Sequence, residues 1–130
     1  MKSMTADEQV TFTQDIMAAL DGWGMSAEQI ISLLALPGKT PTRALRRYRE
    51  NTAFPFNAEV EERLDHITGI LDALRTSYPH NLNMASMWMR QNNKKLNNQI
   101  PIKIIIENDL KGLIEIRQHV DCSYDWHSNP

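Results

Sequence analysis

The sequence predicts an all-α fold: an N-terminal helix-turn-helix, a long helix, and a small C-terminal helical domain. Three observations carry this expectation. Thr5 with Glu8, and Ser26 with Gln29, each match the capping box, in which two side chains satisfy each other's free backbone donors. Apolar residues recur at helical spacing, most regularly at Val60, Leu64, Ile67, Leu71 and Leu74. β-branched residues gather in a single run, Ile100–Ile106. It suits a strand by composition, but a strand needs partners, so it is assigned to a short helix.

The elements follow in order. A first helix runs over about residues 6–21, with Val10, Ile16, Met17 and Leu20 inward, until Gly22-Trp23-Gly24 breaks it. Ser26 opens a short, nearly apolar helix carrying Ile30, Ile31, Leu33 and Leu34, which Pro37-Gly38 ends. Thr40 is the expected cap of a helix over about 41–50, with Pro41 at its first position. Its inner face is Ala44, Leu45 and Tyr48. After the connector 52–57, Asn57 caps the long helix to about Ser77. The 4-3-4-3 stripe of that helix suits a plain core face or a seam against a second helix. Asn83 is the expected cap of a short helix with Met84, Met87 and Trp88. The amide-rich stretch 91–99 is a loop. Leu110, Leu113, Ile114, Arg117 and Val120 outline a last helix to about Asp121. The expected regions are 1–56 (helix-turn-helix), 57–79 (connecting helix), 80–122 (C-terminal domain) and 123–130 (tail).

Composition narrows the function. Fourteen Lys+Arg against sixteen Asp+Glu exclude a globally basic chain. One cysteine, Cys122, excludes an intramolecular disulfide and a multi-cysteine zinc module. No apolar run is long enough to span a bilayer, and the polar start lacks a signal-peptide core, so the expectation is a cytoplasmic protein with no membrane partner. No glycine-rich phosphate loop, His-Glu-x-x-His or Gly-x-Ser-x-Gly occurs. The expectation is therefore no enzyme and no cofactor. His119, Cys122, Asp125 and His127 lie close together, but they match no zinc spacing.

Charge is concentrated. Residues 39–50 hold Lys39, Arg43, Arg46, Arg47 and Arg49 against the single acid Glu50, a local +4 in a chain of −2. Two short helices joined at a Pro-Gly turn, with arginines on the second, follow the layout in which one helix braces and the next enters the major groove. The planar guanidinium pairs with guanine edges or with phosphate. Lys39, Thr42, Arg43, Arg46, Arg47 and Arg49 are thus the candidate DNA-binding residues. Glu59, Glu61, Glu62, Asp65 and Asp72 make the following helix acidic, so it should face away from DNA.

Over about residues 23–122 the order of segments resembles the Xre/MbcA/ParS-type antitoxins. The resemblance rests on Ser26–Pro37 and Thr42–Tyr48, on Val60–Ile70 with its Glu-Arg-Leu and Gly-Ile, and on Trp88, Asn92-Asn93, Leu96, Pro101 and Gly112-Leu113. The chain departs from the family at Ala35, where glycine is usual, and at Tyr48, often tryptophan. It departs again at Asn92-Asn93, typically Pro-Asn, and at Asn97-Asn98, near which a glycine is typical. The resemblance implies an all-α protein that binds operator DNA and represses its own operon. It also implies a C-terminal half that binds a RES-domain, NAD⁺-consuming toxin and blocks its cleft, with Trp88, Asp121, Tyr124, Asp125 and Trp126 as toxin-binding residues. Tyr124 and Trp126 are anchor-type side chains, and Asp121 and Asp125 suit a basic cleft built for phosphate. A two-fold operator implies a homodimer. The alternative expectation is a stand-alone helix-turn-helix regulator with a C-terminal dimerisation domain.

Overall fold

A computed structural model describes the backbone of residues 3–128, and the side chains in that range other than those of Leu82 and residues 123–128. The fold is all-α: α1 (Ala6–Gly22), α2 (Ala27–Leu33), α3 (Ala44–Glu50), α4 (Ala58–Ser77), α5 (Leu82–Arg90), α6 (Pro101–Asn108) and α7 (Leu110–Ser128). One 3₁₀ turn occupies Lys94–Leu96. The chain divides into two compact units, Met1–Leu64 and Asp65–Pro130, so the boundary falls within α4.

In the N-terminal unit both capping boxes form. The Thr5 hydroxyl accepts from Glu8 N–H at 3.2 Å and the Glu8 carboxylate accepts from Thr5 N–H at 3.1 Å. Ser26 and Gln29 repeat the exchange at 3.2 and 2.8 Å. The core is Ile16, Met17, Leu20, Trp23, Ile30, Leu33, Leu34, Leu45, Phe54, Val60 and Leu64. Thr13 is buried among them. Its hydroxyl donates to Gln9 O at 2.8 Å and accepts from Phe54 N–H at 3.0 Å, so it ties the connector to α1 without an orphaned polar atom.

α1 and α2 end the same way with different residues. After α1, Gly24 sits at φ 81 while Gly24 N–H reaches Asp21 O and Met25 N–H reaches Leu20 O. After α2, Ala35 sits at φ 54 with Ala35 N–H on Ser32 O and Leu36 N–H on Ile31 O. Both are Schellman turns, and the left-handed position favours glycine because a Cβ crowds the following carbonyl. Ala35 is the position at which the resemblance leads one to expect glycine.

Three expectations are corrected. Thr40 does not cap α3: its hydroxyl donates to Pro37 O at 2.7 Å. The chain winds from Pro41 in tight i→i+3 turns, which delay the α-helix to Ala44. The cap of α5 is Asn81, whose side chain accepts from Asn83 N–H at 3.1 Å. The α4 stripe passes through Ile70, fully buried, and leaves Leu71 half-buried, because a 3.6-residue turn drifts from a strict 4-3 repeat.

In the C-terminal unit the amide-rich loop is closed on itself. Asn93 N–H donates to Gln99 O at 3.0 Å, and Asn98 N–H donates to Asn93 O at 2.9 Å. Asn97 (φ 57) and Asn98 (φ 62) occupy left-handed conformations, which asparagine tolerates better than most residues. Asparagines thus replace the glycine that the resemblance led one to expect here. α6 starts with Pro101 at its first turn, where a missing N–H costs nothing. Core positions are Ile67, Ile70, Leu74, Met89, Leu96, Ile102, Ile104, Ile105, Leu113, Ile116 and Val120. α7 continues to Ser128, beyond the expected end near Asp121.

The two helical glycines of this unit differ in kind. A Cβ on Gly112 would stand 2.5 Å from Ile104 O and 2.7 Å from Ile105 Cα, so this glycine permits the close approach of α6 and α7. A Cβ on Gly69 would meet the guanidinium of Arg117, the movable end of a side chain. Gly112→Ala is expected to destabilise the protein by about 1–3 kcal/mol, the usual cost of overpacking. Gly69→Ala should be near neutral, since displacing Arg117 is offset by about 1 kcal/mol of helix propensity. Ala35→Gly should stabilise by about 0.5–1 kcal/mol, relief of left-handed strain less the added entropy of the unfolded chain. Urea midpoints of the three variants check all three signs.

Candidate nucleic-acid interface

The basic segment is held in place by α1, which packs on α3. Two polar ties accompany the apolar contact. The Gln14 amide donates to Glu50 O at 2.6 Å, satisfying a carbonyl at the end of α3. The Arg49 guanidinium donates from Nε and Nη2 to the two carboxylate oxygens of Asp21, at 2.8 and 2.9 Å. On the inner face Leu45 is fully buried, and the Tyr48 ring lies 5.0 Å from that of Phe54.

The arginines therefore fall into two sets. Arg49 is occupied by Asp21, and Arg46 donates to Glu50 at 2.9 Å one turn along the same helix. Lys39, Arg43 and Arg47 are exposed and make no salt bridge among the described residues. Thr42 is exposed beside Arg43. Among the described residues three cations thus lack a salt bridge: Arg47 on α3, Arg43 in the winding segment before it, and Lys39 in the Pro37–Thr40 turn. The connection from α2 to α3 covers residues 34–43, longer than the three or four residues of a tight helix-turn-helix joint.

The acidic residues Glu59, Glu62, Asp65 and Asp72 are exposed on α4. Asp65 accepts from Arg117 at 3.0 Å. The same Arg117 nitrogen lies 3.2 Å from His66 Nδ1 and, being only a donor, makes that ring nitrogen an acceptor.

Of the residues expected to touch a protein partner, Trp88 is half-buried and stacks on His119, with ring centroids 5.9 Å apart and planes at 26°. Asp121 is exposed on α7. The side chains of Tyr124, Asp125 and Trp126 lie outside the described residues. Burial holds the His119 imidazole below its ordinary range; the nearby Lys95 charge adds to this and Glu115 opposes it. Among the described residues no three potential ligands gather to hold a metal, and no helix is long and apolar enough to cross a membrane.

Sequence reasoning missed Asp21 and Gln14. They stand 28 and 36 residues from their partners, and no local pattern links them. It also read Met84 and Met87 only as positions on a helix, whereas both are exposed, at 45% and 44%. The absence of any Asp or Glu between Asp72 and Glu107 is the signal that marks this region as distinct.

No protein-family model matches the chain, and no curated protein matches it.

Two outcomes are expected from this geometry. In a double-mutant cycle, Asp21→Ala and Arg49→Ala should couple by about 0.5–1 kcal/mol, a bidentate pair weakened by solvent because both side chains are about 40% exposed. Equal effects in the presence and absence of the partner residue would show the pair to be energetically idle. For His119 the folded pKa lies below the unfolded one, so the unfolded state binds more protons as pH falls through the ordinary histidine range. Stability should decline from about pH 7.5 to about pH 5.5, and His119→Gln should flatten that decline when urea midpoints are compared across the range.

Proposed function

We propose that the chain is a non-enzymatic antitoxin with two partners. Its N-terminal unit binds operator DNA through α3 and the segment before it. Its C-terminal unit and the end of α7 bind a RES-domain toxin and close its NAD⁺-consuming cleft. The observation that carries the DNA half is a trio of exposed cations without a salt bridge among the described residues, Arg47 on α3 and Lys39 and Arg43 in the segment before it, with α3 held by α1. Such a trio meets phosphates and base edges, while a braced helix keeps its pose without induced ordering. The toxin half is supported by the resemblance stated above and by the exposed apolar residues of α5. A protein that represses a two-fold operator would act as a dimer.

The first test is the salt dependence of binding to a random-sequence 30-base-pair duplex, followed by fluorescence anisotropy. Neutralising about three phosphates predicts a slope of log K against log salt near −2.7. Arg43→Ala and Arg47→Ala should each lower the slope by about one. Binding that neither substitution changes would leave the basic face as solvated surface. The second test asks whether an adjacent reading frame encodes a RES-domain protein, as the proposal requires, and uses that protein. A chain truncated after Val120 should still co-purify with it but fail to protect NAD⁺. Full protection by the truncated chain would place inhibition in the helical body.

A further inference from the structure

From Ala73 to Ile106 the chain carries Arg75, Arg90, Lys94, Lys95 and Lys103 and no Asp or Glu. Within this acid-free stretch lies α5. Its residues Met84, Met87 and Trp88 follow the i, i+3, i+4 spacing of a single helix face. Met84 and Met87 are the large apolar side chains exposed among the described residues. The face is not simply a stray edge of the core, because α5 meets that separately through Met89, which is fully buried. Arg90, Lys94 and Lys95 are exposed just beyond it in the chain. Arg90 follows Met87 by three residues on the same helix, so an exposed cation borders the apolar face.

We infer that the Met84–Met87–Trp88 face of α5 docks an acidic amphipathic helix of a partner protein, with apolar anchors on the thioethers and carboxylates on Arg90, Lys94 and Lys95. The inference rests on the second half of the reading above, that the C-terminal unit docks a protein, and names the chemistry of the surface it docks. Thioethers are flexible and polarisable, which suits them to apolar anchors of variable shape. Cations around an apolar centre select carboxylates and repel basic competitors. A second copy of this chain is disfavoured, because a two-fold contact would set the same cations against each other. A membrane surface is disfavoured too. α5 has nine residues, and its Asn83 and Ser86 are uncharged where interfacial helices carry Lys or Arg.

The test is methyl NMR of the full chain labelled at methionine. The probe is a synthetic amphipathic helix with leucines on one face and glutamates on the other, compared with the same peptide carrying lysines instead. Met84 and Met87 methyl signals should move with the acidic peptide while those of buried Met17 and Met25 stay in place. At low salt the acidic peptide should bind about tenfold or more tightly than the basic one. Met84→Gln with Met87→Gln should abolish binding of the acidic peptide, and Arg90→Gln with Lys94→Gln should remove its preference over the basic one. Equal binding of both peptides, or no movement of the two signals, overturns the inference. Movement with protein concentration alone would assign the face to a second copy. Movement with phosphatidylglycerol vesicles but not with the peptide would assign it to a membrane surface. Either result also overturns the inference. If no adjacent RES-domain protein is found, or one fails to co-purify with the unaltered chain, the toxin reading falls, whereas the peptide comparison still decides the face.

Discussion

The N-terminal unit depends on one buried hydroxyl. Thr13 donates back to its own helix and accepts from the amide of Phe54, 41 residues away. The segment after α3 thereby returns to the middle of α1, and Phe54 is placed under Tyr48. Removing the hydroxyl would strand a buried N–H, the costly half of a hydrogen bond. Further along α1, the Gln14 amide and the Asp21 carboxylate hold the last turn of α3 through Glu50 and Arg49. A seven-residue helix is too short to persist alone, so the pose of α3 is a property of its contacts with α1 and the connector.

The charge arrangement follows from the same packing. Where α3 runs along α1, Arg49 is matched by Asp21; before the helix, Arg43 and Lys39 make no salt bridge among the described residues. A formal charge of +4 over residues 39–50 therefore overstates the cations available to a ligand. Arg46 and Arg49 are partly occupied within the unit, and their exposed pairs are easily exchanged in salt. In the C-terminal unit Arg117 plays a comparable part, lying over Gly69 and joining Asp65 to His66.

Much of the fold was legible because its signals are local. The capping pairs Thr5–Glu8 and Ser26–Gln29, the Asn57 cap and Pro101 at the head of α6 each act within a few residues. The isoleucine run was correctly placed in a helix by asking where partner strands would come from. What escaped depends on conformation or distance. Ala35, Asn97 and Asn98 adopt left-handed backbone without a glycine to announce it. The sequence points to Asn83 as the cap of α5, and the turn closed from Asn81 N–H to Tyr78 O moves the cap to Asn81. Gly112 looks like any helical glycine until the α6 backbone is found against it. Within the candidate site, the basic cluster was visible as composition. Its division into held and uncompensated arginines was not, because Asp21 lies in another helix.

Lys39, Thr42, Arg43 and Arg47, each exposed, are the proposed nucleic-acid contacts. Backbone and arginine-side-chain NMR of the full chain, titrated with a short DNA duplex at low salt, tests them most directly. Signals of residues 39–47 should move first and saturably, while those of the acidic stretch 59–65 on α4 remain unaffected. No movement at any duplex concentration, or movement confined to the C-terminal unit, would contradict the proposal.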